Sequence, residues 1–234
     1  MAAKKPQDCN NFVIFDFETG GLDSTKNAIT EIALISIDGD TLKVINKYQS
    51  LIAPSYDSKL TYEQKALDVS NITFEQLMDE GKDIKQVANE VYQCFIEANT
   101  RQNKLNALKP ILVGHNVKFD INFLNQLFYY GFGRGYQKQL EQSLKGSYDY
   151  YGNYQCDYLD TLLLSKSWLQ SFKDMPSYKL SNVVERLGVD INNAHRAMND
   201  VVSTVDVFRV YLNAIRQSDG QQIINSREGF YFPI

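Results

Sequence analysis

Four acidic residues and one histidine lie in three short stretches whose residue types could together bind cations and activate water. The stretches are Asp16-Phe17-Glu18-Thr19-Gly20-Gly21, His115-Asn116-Val117-Lys118-Phe119-Asp120 and His195-Arg196-Ala197-Met198-Asn199-Asp200. Four carboxylates that converge in a fold are a common cage for two divalent cations, and a histidine beside them can take a proton from water. If the stretches meet in space, they predict metal-dependent hydrolysis of a phosphodiester.

The first two carboxylates belong to one predicted strand. Phe12 to Phe17 is a short apolar run of β-forming residues, which indicates a buried strand. Side chains two residues apart leave a strand on the same face, so Asp16 and Glu18 point to one place about 7 Å apart at their backbones. Such carboxylates are costly to desolvate unless cations neutralise them, and hard oxygen ligands favour Mg²⁺ or Mn²⁺ over zinc. An isolated Asp-x-Glu is common, and by itself it is more typical of a buried strand that ends at Asp16 and a loop that starts at Glu18.

The second stretch follows a strand predicted at residues 110–114 and leads into a helix. By itself Asp120 is more typical of a helix N-terminal cap, because its carboxylate satisfies free backbone N–H groups. His115 and Asn116 are ordinary turn residues. Beside a catalytic site, the same pair would instead contact phosphate or sugar.

The third stretch leads into the last long helix, where Asp200 lies near the start. If His195 were also helical, the spacing of five would separate the two side chains by about 140°. We therefore place His195 on the preceding loop. A lone histidine is more often a structural hydrogen-bonding residue than a catalyst, but both histidines of this chain fall in the suspected stretches.

The remaining pattern predicts the elements that position these residues. Further strands are expected at residues 29–37 and 44–53, followed by a helix that starts at Thr73 and another over residues 84–96. Residues 131–158, rich in tyrosine and glycine, indicate an insertion or a long loop. The order β-β-β, helices, β-α-β-α predicts an α/β fold, in which a mixed sheet packs between helices.

Length and composition limit the class of protein. A chain of 234 residues with 44% hydrophobic residues suits one domain with a sizeable core. There is no apolar run of about 18 residues and no signal-peptide pattern, so we expect a cytoplasmic protein with no membrane association. The net charge of −4 argues against a generic nucleic-acid binder, although two dications would offset four site carboxylates.

The three stretches resemble the motifs of the DEDDh family of 3′–5′ exonucleases, which includes proofreading subunits of bacterial DNA polymerases and RNA-trimming enzymes. The first motif is similar to residues 15–22, the second to 113–120 and the third to 194–200. Supporting segments, Thr30-Glu31-Ile32-Ala33 and Leu159-Asp160-Thr161-Leu162, also match. The resemblance extends over residues 11–213, and three ordered motifs are far more specific than any one alone.

The resemblance implies a ribonuclease H-like fold with a mixed five-stranded sheet flanked by helices. It also implies a site with two divalent cations, Mg²⁺ or Mn²⁺, and His195 as general base. The implied catalytic metal ligands are Asp16, Glu18, Asp120 and Asp200. The residues expected to bind substrate are Thr19, Leu22, His115 and Asn116.

One departure concerns the residue after Thr19. The family often has two threonines after the glutamate, whereas this chain has Thr19 and then Gly20. A second hydroxyl contact to the terminal nucleotide would therefore be absent. The metal ligands are unaffected by this change.

The implied activity is removal of 5′-mononucleotides from the 3′ end of single-stranded DNA, in proofreading or repair. Two alternatives stay open: RNA 3′-end trimming, and a nucleic-acid-binding subunit of a DNA polymerase with little activity alone. We expect an N-terminal extension at residues 1–10, an exonuclease domain at 11–216 and a C-terminal tail at 217–234. The sequence leaves open whether the protein forms a homodimer.

Overall fold

The computed structural model describes residues 9–54, 57, 59–99, 108–189 and 196–217. The strands are β1 (Phe12–Thr19), β2 (Ile29–Ile37), β3 (Val44–Leu51), β4 (Ile111–Gly114), β5 (Gly146–Tyr148), β6 (Tyr154–Cys156) and β7 (Tyr158–Asp160). The helices are α1 (Gln64–Ser70), α2 (Phe74–Glu80), α3 (Ile84–Glu97), α4 (Val117–Phe132), α5 (Gln137–Ser143), α6 (Thr161–Leu169), α7 (Leu180–Leu187) and α8 (Ala197–Gln217). A short 3₁₀ turn, Gly133–Gly135, follows α4.

The main sheet has five strands in the order β3-β2-β1-β4-β7. Strands β3, β2 and β1 are antiparallel neighbours, whereas β4 runs parallel to β1 and β7 runs parallel to β4. The predicted mixed five-stranded sheet is therefore confirmed. Strand β1 lies at its centre, and its carboxyl end carries the first pair of suspected ligands.

The two faces of β1 pack against different helices. Val13, Phe15 and Phe17 belong to the larger core cluster, together with apolar residues of α3 and α4. Phe12 and Ile14 belong to a second cluster on the other face, built with residues of α8. Because side chains alternate along a strand, Asp16 and Glu18 continue the face that α8 covers.

Local signals of the sequence define several helix ends as predicted. Thr73 begins α2 with a reciprocal capping box, in which its hydroxyl accepts from Gln76 N–H and the Gln76 side chain accepts from Thr73 N–H. Gly188 ends α7 in the left-handed conformation at φ 66°, which glycine adopts at little cost. No described helix is long and apolar enough to span a membrane.

The segment 131–158 is not a long loop. It contains the end of α4, the 3₁₀ turn, helix α5 and the hairpin of β5 and β6. Tyr154 is buried in the main core, and its hydroxyl donates to the Leu144 carbonyl at 2.9 Å. The Tyr154 ring occupies space in the core while its hydroxyl makes a hydrogen bond. Because tyrosine takes such a core position, the segment folds without a clear apolar period. The sequence pattern also missed α1, which has only seven residues.

Candidate active site

Three of the four suspected ligands meet at the carboxyl end of β1. One oxygen from each of Asp16, Glu18 and Asp200 lies within 4.8 Å of the others. The strand supplies the first two from one face, and the first turn of α8 brings the third over that face. Residues separated by more than 180 positions in the sequence thus form one acidic group.

Asp120 adds the fourth carboxylate from the other side of β1. It lies in the first turn of α4, is only 3% exposed, and its Oδ1 accepts a hydrogen bond from Phe17 N–H at 3.2 Å. Asp120 does not cap α4, because the N-cap is Asn116 in the left-handed conformation at φ 67°. The capping alternative is therefore wrong, and the carboxylate instead joins the helix to the strand that carries Asp16 and Glu18.

Burial and mutual repulsion make this group of carboxylates costly to ionise without a counter-charge. Burial raises the pKa of Asp16 well above its usual range, and the Asp120, Glu18 and Asp200 carboxylates raise it further. Burial, followed by the negative charges of Asp200 and Glu31, raises the pKa of Glu18 to about 7. Burial also raises the pKa of Asp120, against the opposing effect of the Phe17 N–H hydrogen bond.

The donor set fits divalent cations. All four side chains offer carboxylate oxygens, which hard cations such as Mg²⁺ and Mn²⁺ prefer. Bound cations would supply positive charge beside these carboxylates and so favour their ionised forms. No thiol or imidazole of the described residues belongs to the group, so its chemistry does not resemble a structural zinc site.

We expect Mg²⁺ to raise the melting temperature of the protein, and to raise it more at about pH 8 than at about pH 5.5. The pKa of Glu18 rises from 4.5 to about 7, so ionisation in this window destabilises the metal-free fold as pH rises. The cation offsets that repulsion and must displace a proton below about pH 7. At about 100 times its Kd it should add roughly 5–10 °C at the higher pH.

Differential scanning fluorimetry with and without Mg²⁺ at both pH values measures this effect. The variant Asp200→Asn serves as the comparison, because it removes one of the converging oxygens. The cation site as described is contradicted if the wild type gains nothing at the higher pH, or if the variant gains as much as the wild type.

A fifth acidic residue, Glu31, lies beside the group and was not assigned a role by the sequence pattern. Glu31 on β2 stands directly opposite Glu18 on β1 and is 1% exposed. Its carboxylate pairs with Arg196, with Nη2–Oε1 at 2.8 Å and Nε–Oε2 at 3.2 Å. One signal was available in the sequence, because Glu31 is the single charged residue in the apolar run of β2.

A cleft of about 370 Å³ opens next to the carboxylates. Its lining includes Glu18, Thr19, Leu22 and Phe119. Leu22 is 85% exposed, while the Thr19 hydroxyl donates to the Gly21 carbonyl at 2.7 Å and so holds the turn that presents Leu22. The structure thus brings Thr19 and Leu22, both expected to bind substrate, to the edge of the acidic group.

His115 has both ring nitrogens engaged within the protein. Burial lowers the pKa of His115. Nε2 donates to the Tyr178 carbonyl at 2.8 Å, and Nδ1 forms a hydrogen bond of 2.9 Å with the Thr161 hydroxyl. Neither nitrogen is left for a phosphate. Asn116 is exposed, and its backbone N–H donates to Asp160 at 3.0 Å.

The expected general base lies outside the described residues. His195 directly precedes Arg196, the first described residue of the third stretch. Its role therefore stays a prediction.

Gly20 replaces a residue that the family often has as threonine, and the structure gives a steric reason. A Cβ at Gly20 would lie 2.7 Å from the Thr61 carbonyl oxygen and 3.0 Å from Tyr62 Cα. The chain is held this close because Gly20 N–H donates to the Ala28 carbonyl and the Gly20 carbonyl accepts from Glu63 N–H, both at 2.7 Å.

Substituting Gly20→Thr should therefore lower stability by about 1–3 kcal/mol, the usual cost of overpacking. Urea denaturation followed by circular dichroism measures the change. Gly135→Ala is the matched control, since nothing lies within 4 Å of its added Cβ. A threonine variant as stable as this control would contradict the close approach of residues 61 and 62 to Gly20.

Comparison with known proteins identifies the family. The family model described as Exonuclease (RNase_T) matches residues 13–208, and the chain therefore belongs to this exonuclease family. Residues 13–208 include the four converging carboxylates and His195.

Curated relatives include bacterial replication proteins. The PolC-type DNA polymerase III of Thermotoga maritima is 29% identical over 206 residues, which cover 88% of this chain and 12% of the polymerase. The DNA polymerase III subunit epsilon of Aquifex aeolicus is 26% identical over 202 residues, which cover 84% of this chain and 78% of that subunit. This chain thus spans only a small part of the PolC-type relatives.

Among solved structures, the chain is similar to Escherichia coli exonuclease I in complex with a dT13 oligonucleotide. The TM-score is 0.64 at 20% identity, and the match covers 94% of this chain and 44% of exonuclease I. The likeness confirms the predicted ribonuclease H-like fold.

Proposed function

We propose that the chain is a metal-dependent 3′–5′ exonuclease that removes 5′-mononucleotides from the 3′ end of single-stranded DNA. The observation that carries this proposal is the convergence of Asp16, Glu18 and Asp200 at the end of β1, with Asp120 on its other side. The chain's place in an exonuclease family supports it.

The four carboxylates, Asp16, Glu18, Asp120 and Asp200, would hold two divalent cations, Mg²⁺ or Mn²⁺. Burial raises the pKa of Asp16, and the Asp120, Glu18 and Asp200 carboxylates raise it further, so bound cations would favour its ionised form. When bound, such cations lower the pKa of the attacking water and stabilise charge on the leaving oxygen.

The chain's own residues would move the proton and hold the substrate. His195 takes a proton from the attacking water, the water oxygen bonds to the terminal phosphorus, and the bond from phosphorus to the 3′ oxygen breaks. The released 3′ oxygen gains a proton from solvent. The cleft beside Glu18 would take the terminal nucleotide between Leu22 and Phe119, two side chains that line it.

Single-stranded DNA is proposed because exonuclease I, which shares the fold, has been solved with a dT13 oligonucleotide. The relatives named as DNA polymerase III proteins support a setting in proofreading or repair, with a polymerase as partner and the cytoplasm as location. Of the residues expected to bind substrate, Thr19 and Leu22 keep that role in this proposal. Asn116 is exposed at the start of α4 and could contact the substrate backbone.

The test uses a 5′-labelled single-stranded DNA oligonucleotide, a matched RNA oligonucleotide and Mn²⁺. A ladder of one-nucleotide shortenings on DNA, with mononucleotides as product, is the expected result. Faster shortening of the RNA would reassign the substrate to RNA. If neither is shortened by protein that binds Mn²⁺, the chain serves as a binding subunit and the proposed activity is wrong.

A further inference from the structure

Glu31 occupies an unusual place for a charged side chain. It lies near the start of β2, a strand paired on both sides, is 1% exposed, and stands opposite Glu18 in the antiparallel ladder of β1 and β2. Like charges in directly opposed positions destabilise a sheet, and an unpaired buried carboxylate is costlier still. A carboxylate at this position needs partners that offset both costs.

The partners come from both sides of Glu31. Gln49 on β3 donates to Oε1 at 2.7 Å, and the Arg196 guanidinium donates to both carboxylate oxygens. The backbone N–H of Ala197 donates to Oε2 at 3.3 Å. The Glu31 carboxylate thus binds both the side chain of Arg196 and the backbone of Ala197, the next residue.

These partners form the beginning of α8. Ala197 is the first residue of the helix, and the Arg196 carbonyl accepts from Asn199 N–H at 2.9 Å and from Asp200 N–H at 3.2 Å. Arg196 is therefore the residue from which the helix starts. The first N–H groups of a helix lack intrahelical acceptors and attract negative charge, so Glu31 caps α8 from a distant strand.

We propose that Glu31 is a positioning residue, which through Arg196 and Ala197 fixes the start of α8 and hence the place of Asp200 over Asp16 and Glu18. The chain length between the anchor and Asp200 is one helical turn, so a shift at Arg196 moves Asp200 directly. His195 adjoins the anchored residue in sequence. Glu31 is not itself a ligand in this proposal.

The ion pair between Glu31 and Arg196 also sets the position of the Arg196 guanidinium. Arg196 lies close enough to Glu18 to lower the pKa of that carboxyl. Held by Glu31, the guanidinium leaves the Glu18 oxygens to face Asp16 and Asp200. Without Glu31, Arg196 would lose this ion pair, and its guanidinium, whose charge already acts on Glu18, would compete there with a bound cation.

The test measures Mn²⁺ affinity by titration calorimetry, together with kcat, KM and melting temperature, in Glu31→Gln and Arg196→Gln. Partners that orient metal ligands typically change affinity or activity by about 10–100-fold when removed, and we expect Mn²⁺ affinity and kcat to fall by that factor with KM little changed. The double variant should lose no more than the worse single variant, since the two side chains act as a unit.

The control is Glu90→Gln, which removes a more exposed carboxylate whose ion pair with Lys82 lies outside the acidic group. Glu90 lies on α3, on the other face of the sheet, and accepts from Lys82 at 2.8 Å and from Tyr48 at 2.6 Å. This variant should lose stability alone. If Glu31→Gln and Arg196→Gln behaved in the same way, with wild-type Mn²⁺ affinity and kcat, the positioning role would be overturned.

This inference rests on the proposed function only for its kinetic part. Mn²⁺ titration requires no nucleic-acid substrate, so it tests Glu31 even if the wild type degrades neither DNA nor RNA. Arg196 is 38% exposed, and its substitution leaves no large cavity, so Arg196→Gln tests the anchor if Glu31→Gln fails to fold.

Discussion

Asp200→Asn is expected to reduce kcat on single-stranded DNA by about 10³-fold while the protein stays folded. Asp200 contributes one of three oxygens that lie within 4.8 Å of one another, so its loss removes a ligand and one negative charge from the cation site. Metal ions contribute several kilocalories per mole of transition-state stabilisation, and about 4 kcal/mol corresponds to this factor. The fold should persist, because amide and carboxylate have nearly the same shape and repulsion is relieved.

Asp206→Asn on the same helix is the matched control. Asp206 lies six residues further along α8, its side chain is 41% exposed, and it pairs with Arg209 at 3.0 Å. An exposed pair of this kind contributes little to stability, so this variant should retain wild-type turnover. Equal losses in both variants, or an Asp200→Asn protein that unfolds, would show that Asp200 supports the fold and not the chemistry.

His195→Ala is expected to reduce kcat by about 10²–10⁴-fold, with KM changed much less. A general base acts on the proton of the attacking water and not on the bound nucleotide, so its loss affects turnover and leaves substrate binding intact. Steady-state kinetics over a range of DNA concentrations separate the two quantities. Unchanged kcat would remove His195 from the chemistry.

His115→Ala provides the contrast, because it is the other histidine of the chain. Its ring joins the Thr161 hydroxyl to the Tyr178 carbonyl, so its removal takes one hydrogen bond from each group, although the hydroxyl still donates to the Gly114 carbonyl at 3.2 Å. A loss of about 1–3 kcal/mol in stability is expected, with turnover of the folded protein largely kept. A large loss of kcat at wild-type stability would return His115 to the substrate site.

Much of the sheet could be predicted because its strands are local patterns. The apolar runs at 12–17 and 29–37 and the turn residues between strands give positions within a few residues of the observed bounds. The start of α2 at Thr73 and the end of α7 at Gly188 were also predictable, since capping depends on neighbouring residues alone.

The acidic site could be predicted only in part. Strand alternation places Asp16 and Glu18 together, but nothing local distinguishes Asp120 as a ligand from Asp120 as a cap. The structure rules out the cap, because Asn116 is the N-cap and Asp120 accepts a hydrogen bond from Phe17 N–H, while the ligand role of Asp120 stays a prediction. The pairing of Glu31 with Arg196 was not predictable from local pattern, because the two residues lie 165 positions apart.

The most direct test of the cation site is anomalous diffraction near the manganese absorption edge, from crystals of the protein grown with Mn²⁺ and a mononucleotide. We expect two anomalous peaks at the end of β1, both within the group formed by Asp16, Glu18, Asp120 and Asp200. Manganese bound elsewhere, or no peak at the end of β1, would contradict the claim that these four carboxylates form the catalytic centre.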